Sequence, residues 1–150
     1  MTGDVDAALR EAIDAAKAAG DPDLLAQRIP YAAFLGLSLM EREGALVGRM
    51  RYADALVGNP ALPALHGGTL AALLESVAIF QVIWSSDTVV LPKIITLTVD
   101  FLRSARPVDT FARGIITRQG RRVANVRVEA WQDDPARPVA AAHCHFLVQE

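Results

Sequence analysis

Between Leu70 and Trp84 the chain places Leu, Val, Ile, Phe and Trp on nearly every side of a helix, with one carboxylate, Glu75, among them. A helix apolar all round has to be buried all round. Any fold open to this sequence must therefore build a shell around one central helix. The run is broken by Glu75, Ser76 and Gln81, and it falls short of the about 20 apolar residues that a bilayer span takes. The shell is thus expected to be protein.

The rest of the chain supplies strands for it. Val5 to Ala19 reads as a helix that Asp4 can cap and Gly20-Asp21-Pro22 ends. A short helix from Asp23 to Arg28 stops before Pro30. Leu37 to Met40 and Leu46 to Tyr52 flank Glu43-Gly44, a hairpin signal. Gly58, Asn59, Pro60 and Pro63 make Asp54 to Leu65 a loop, and the long helix then runs from Gly67 to about Trp84. Four further strands are read at Ile94 to Leu102, Phe111 to Arg118, Arg121 to Trp131 and Val139 to Val148. In the third of these, Ala124, Val126, Val128 and Ala130 alternate with Asn125, Arg127, Glu129 and Trp131, the period of a half-buried strand. The expected fold is α+β: an antiparallel six-stranded sheet wrapped around a central helix, with an extra N-terminal helix. A sheet covers only part of a helix's circumference, so a second subunit is the natural cover for the remainder.

Composition narrows the function classes. The 150 residues fit one domain, 52% apolar and 21% charged, with a net charge of −2 and no run of Lys or Arg. Nucleic acid is thus a poor partner. The single cysteine, Cys144, excludes an internal disulfide and fits a reducing compartment. The acidic start Met1 to Asp6 lacks a signal-peptide pattern. The expectation is a soluble cytoplasmic protein with no membrane partner.

Glu75 and the glycines before it carry the chemical signal. A carboxylate in an apolar helix is poorly solvated, which suits a general base or a nucleophile; it also suits a structural hydrogen bond or a helix edge. Gly67-Gly68 at a helix start leaves backbone N–H groups unobstructed where the helix dipole is positive, a place for an oxyanion, although two glycines also serve a tight turn. His143 and His145 share one strand face, but Cys144 points away from it and no third ligand stands out, so no metal is expected. Arg103, Arg106, Arg121 and Arg122 lie near strand ends, placed either for phosphate or simply for solvent.

The pattern Gly58-Asn59, Leu65-His66-Gly67-Gly68 and Leu74-Glu75 resembles the hotdog-fold thioesterases of the PaaI (phenylacetate-pathway) type. Ile29-Pro30-Tyr31 with Leu35-Gly36 looks like their opening strand, Thr96 to Arg103 like their third, and Gly120 to Ala124 like the turn into their fifth. The resemblance divides the chain into an N-terminal helical extension at residues 1–28 and a hotdog domain at 29–150. It implies an acyl-CoA thioesterase that hydrolyses a CoA thioester to free acid and CoA, with CoA as part of the substrate and no separate cofactor. In such a site the N–H of Gly67 polarises the carbonyl and Glu75 activates water or attacks. Asn59 and His66 position water, carbonyl or loop. Gly68 and the arginines Arg103, Arg121 and Arg122 are the expected substrate contacts. The site would form between the subunits of a homodimer or a dimer of dimers. Where some relatives carry a hydroxyl one turn after the carboxylate, this chain has Ile79. Two other readings stay open: a hotdog hydratase or dehydratase, which would want a histidine on the helix, and a non-catalytic acyl-CoA-binding protein.

Overall fold

The structure, a computed structural model, describes residues 2–87 and 89–148; Met1, Thr88, Gln149 and Glu150 lie outside the described residues. Three helices open the chain: α1 (Thr2–Ala19), α2 (Asp23–Arg28) and α3 (Pro30–Phe34). Strands β1 (Leu37–Arg42) and β2 (Ala45–Met50) follow, joined by a tight turn in which Glu43 and Gly44 both have positive φ, 53° and 77°. That is the turn whose twist matches a hairpin. A 3₁₀ turn (Asp54–Leu56) and the short strands β3 (Val57–Asn59) and β4 (Ala64–Leu65) lead into α4 (Gly67–Ser85). The chain ends with β5 (Lys93–Phe101), β6 (Thr110–Gln119), β7 (Val123–Trp131) and β8 (Ala140–Leu147).

Six strands form one antiparallel sheet in the order β1-β2-β6-β7-β8-β5. The expected six-stranded sheet around a central helix is present. β5 pairs with the last strand, β8, and occupies the sheet's edge. The stretch read as an opening strand is α3 instead. Pro30 sits at its first helical position, where a missing N–H costs nothing and the fixed φ is already helical. The stretch 54–65, read as plain loop, contains the 3₁₀ turn and the β3–β4 pair.

The alternation in β7 has the anticipated result: Ala124, Val126, Val128 and Ala130 are all buried. With Ala112, Ala140, Ala142, Cys144 and Phe146 they make a floor of mostly small side chains under α4. A Cβ on Gly48 would come within 2.4 Å of the Val77 side chain, so α4 rests directly on β2. The buried Gln81 fastens the contact, its Oε1 accepting from the Leu46 N–H at 3.0 Å and its Nε2 donating to Ser85 Oγ at 2.6 Å.

Complete burial of α4 is not achieved within one chain. Leu70, Leu73, Leu74, Val77, Ala78, Phe80, Val82 and Ile83 are buried, but Ala72, Glu75, Ser76 and Ile79 are only half-buried. The sheet takes one side of the helix and α1 to α3 take part of the other. α1 is held there by Arg10 Nη1 donating to the Val89 carbonyl at 3.3 Å and by Lys17 Nζ donating to the Ser86 carbonyl. By length and mean hydropathy α4 would also pass for a membrane span; the packing on the sheet accounts for its apolar character.

At the other end of the sheet, Asp109 ties β2 to the approach of β6. It accepts from the Tyr52 N–H at 2.8 Å and from Arg49 Nε at 2.9 Å. The Tyr52 N–H, then Arg49, hold its carboxyl below the usual carboxylate range. A lowered folded-state pKa stabilises the fold above the unfolded value of about 4, and the effect is lost as pH falls through the folded value. Asp109→Ala should therefore cost about 1 kcal/mol at pH 7, roughly 2–4 °C in Tm. The difference should shrink on acidification toward about pH 3. Thermal melts at the two pH values check this; an equal difference at both would contradict it.

Candidate active site

The junction between β4 and α4 is fixed from both sides. Leu65 N–H donates to the Ala105 carbonyl at 2.9 Å and His66 N–H to the Leu56 carbonyl at 2.8 Å. His66 is the extended N-cap of α4, and its Nδ1 accepts from the Gly68 N–H at 2.8 Å. A ring nitrogen that accepts carries no proton, so Nε2 is the donor this histidine can present. Thr69 Oγ1 donates to the His66 carbonyl at 2.7 Å and closes the first turn.

The glycines around His66 are explained by space. A Cβ on Gly58 would lie 2.8 Å from His66 Cα, and one on Gly68 would lie 2.8 Å from His66 Nδ1. A Cβ on Gly67 would lie 3.2 Å from the ring of Phe101. The Gly68 N–H is spent on the cap, whereas the Gly67 N–H has no partner among the described residues. Gly67 opens on a cleft of about 450 Å³, lined also by Phe101, Leu102, Arg103 and Ser104. An unpaired N–H at the positive end of a 19-residue helix is a site for a polarised carbonyl or an oxyanion.

Glu75 lies two turns further along α4. It is half-buried and makes no hydrogen bond or ion pair among the described residues. Its charge is felt across the core: burial first, and the Glu75 carboxylate second, push the Cys144 thiol up to about 11. Asn59 serves its own loop, with Oδ1 accepting from the Ala61 N–H at 3.0 Å and the Leu62 N–H at 3.3 Å.

The arginines divide between the two ends of α4. Arg103 borders the Gly67 cleft and an adjoining cavity of about 300 Å³ shared with Arg106 and Arg137, where Arg106 pairs with Asp133. Arg121, with Arg122 beside it, lines a cavity at the far end of the helix with Ser85 and Ser86. One chain thus assembles His66, Gly67, Gly68 and Arg103, with Asn59 on the neighbouring strand pair. It does not bring Glu75, Arg121 or Arg122 to them. Phe101 and Arg137 were not picked out in the sequence. Phe101 reads there as an ordinary strand residue, yet it is 57% exposed against Gly67. His143 and His145 are exposed on the outer face of β8, and His145 Nδ1 lies 2.5 Å from Thr96 Oγ1. No cluster of three or more His, Cys, Asp or Glu suited to a metal occurs among the described residues.

Residues 62–139, just over half of the chain and including α4, match the thioesterase superfamily. No curated protein matches the chain. Among solved structures, a protein from Chromobacterium violaceum is 34% identical over 93% of this chain and 98% of its own, with a TM-score of 0.77. A phenylacetic acid degradation-related protein of Ralstonia eutropha is 29% identical over 80% of this chain and 91% of its own, with a TM-score of 0.71. A Bacillus halodurans protein solved with CoA shares the fold at 21% identity, 99% and 93% coverage and a TM-score of 0.72. A sheet curled around one helix, with a glycine-rich helix start at its rim, is the hotdog fold. The chain belongs to the thioesterase superfamily.

The raised thiol has a practical consequence. At pH 8 about one Cys144 in 10³ would be thiolate in the folded protein. Ellman's reagent should therefore leave the folded chain untouched and titrate one thiol per chain after unfolding. Prompt reaction of the folded protein would contradict the buried, charge-opposed placement of Cys144.

Proposed function

We propose that this protein is an acyl-CoA thioesterase acting as a homodimer, with each site built from both chains. The observation that carries the reading is a Gly67 N–H and a Glu75 carboxylate on one helix, both unpaired among the described residues, in a chain of the thioesterase superfamily. The two residues are eight apart on one helix, about 12 Å. A carbonyl held at Gly67 needs its base within hydrogen-bond reach or one water away, so Glu75 of the same chain is too far. A second copy with its α4 antiparallel brings its Glu75 to the first chain's Gly67, and the reverse, giving two equivalent sites.

Two features support that partner. The half-buried strip of α4 that the N-terminal helices do not face holds Ala72 and Glu75. The edge strand β5 is nine residues long and leaves Ile94, Ile95 and Phe101 exposed, an edge that invites antiparallel pairing. In such a pair the second copy's Arg121 and Arg122 come to the end of α4 that carries Arg103, where they can meet the phosphates of CoA.

The reaction then follows. The thioester oxygen accepts from Gly67 N–H, and Glu75 takes a proton from water as that water attacks the carbonyl carbon. The oxyanion is held by Gly67 N–H and the helix dipole. It collapses, the C–S bond breaks, and the thiolate of CoA takes the proton from Glu75, leaving a carboxylic acid. His66 contributes its Nε2–H toward the carbonyl or water, and Asn59 holds the loop beside it. Attack by Glu75 itself would pass through an anhydride that water then opens.

Glu75→Gln keeps the shape and removes the base. Release of CoA from acyl-CoA should fall at least about 100-fold with Tm within a few degrees of wild type. Near-normal turnover by the folded variant would remove Glu75 from the mechanism. Tight acyl-CoA binding by a wild-type protein that releases no thiol would replace the enzyme with a binding protein.

A further inference from the structure

Between α1–α3 and α4 lies a cavity of about 200 Å³ that the reaction as described does not use. Leu9, Ile13 and Leu25 line it from the N-terminal helices, and Ser76, Ile79 and Ile83 from α4. We propose that this cavity is the acyl-chain pocket and that the N-terminal helices set the length of chain the enzyme prefers. The proposal rests on the thioesterase reading and adds the substrate class to it.

Its position on α4 is the first argument. Ser76 follows Glu75 directly, and Ile79 lies about one turn on and on the same side of the helix as Glu75, about 6 Å along the axis. A chain leaving a carbonyl that Glu75 addresses therefore meets this cavity first. The chemistry of the wall is the second. No charged side chain lines it; its side-chain polar groups are the hydroxyls of Ser76 and Tyr31. A dicarboxylic or cationic acyl group would be desolvated there without a partner, whereas an aliphatic tail loses only water. Volume is the third. A methylene fills about the space of one water, roughly 30 Å³, so the cavity holds about six or seven carbons beyond the carbonyl. The preferred substrate is a medium-chain, uncharged acyl-CoA.

The anchoring of the wall is independent of the catalytic groups. α1 is tied to the segment after α4 through Arg10 and Lys17, and Ile13 and Ala16 are fully buried beneath it. The matched stretch 62–139 contains none of these residues. The N-terminal side of the wall, Leu9, Ile13 and Leu25, thus lies outside the superfamily match, and the α4 side lies within it.

The test varies Leu9, which is only partly buried and so can change without emptying the core. Wild-type kcat/KM should rise about fourfold per methylene from butyryl- toward octanoyl-CoA, the rate equivalent of burying one CH₂, and then level off. Leu9→Trp should lower the octanoyl-to-butyryl ratio at least tenfold, and Leu9→Ala should move the optimum to longer chains. The same comparison is made by calorimetry with the non-hydrolysable thioethers S-octyl- and S-ethyl-CoA, with folding checked by circular dichroism. Length-dependent binding that Leu9→Trp weakens at least tenfold supports the pocket even if wild type releases no thiol, in which case only the catalytic reading fails. Length profiles unchanged in both folded variants overturn the pocket. A change of oligomeric state with an unchanged length profile also overturns it and assigns the cavity to a subunit contact. Failure of both thioethers to bind overturns the pocket and the thioesterase reading together.

Discussion

The packing of α4 against a floor of small side chains is the contact on which the rest of the architecture depends. Nineteen residues of mostly apolar helix cannot face water, and one curved sheet can cover only one side of a cylinder. The alanines of β6 to β8 and the missing side chain at Gly48 let the helix sit close to the sheet, which fixes its height and rotation. Gln81 bonded to the Leu46 N–H adds a polar contact in a mostly apolar interface. Once the rotation is set, the faces that the sheet does not reach are determined. One is faced by α1 to α3 across the cavity that Ile79 and Ile83 line, and the strip through Ala72 and Glu75 remains for another occupant.

Much of this was legible in the sequence because it depends on local periodicity. The period of two in β7 and the Glu43-Gly44 turn gave strands and a hairpin that the structure contains. α3 is not legible in this way: Pro30 suits both an extended segment and a first helical turn, and only the tertiary position of the N-terminal helices decides between them. The edge position of β5 was not legible either. It is set by pairing with β8, some forty residues on, and non-local pairing leaves no local trace.

The candidate site was legible in its parts and not in its geometry. Glu75 and Gly67 stand out as a lone charge and an unobstructed helix start. That His66 spends the Gly68 N–H while the Gly67 N–H stays free depends on one ring orientation that no spacing rule predicts. Phe101 reaches Gly67 from a strand more than thirty residues away. The arginines expected as substrate contacts lie at opposite ends of α4, Arg103 at one and Arg121 with Arg122 at the other, and a two-fold partner would bring them together.

The central claim is that Gly67 of one chain works with Glu75 of another, and mixed dimers address it directly. One parent carries Glu75→Gln. The other carries Gly67→Pro, which removes the N–H at the first helical position, where proline fits the backbone and the exposed Phe101 ring has to give way slightly. The account predicts that both folded parents are inactive and that purified heterodimers hydrolyse acyl-CoA at about half the wild-type rate per dimer, one intact site of two. Inactive heterodimers from folded parents, or full activity in a monomer at low concentration, would contradict it.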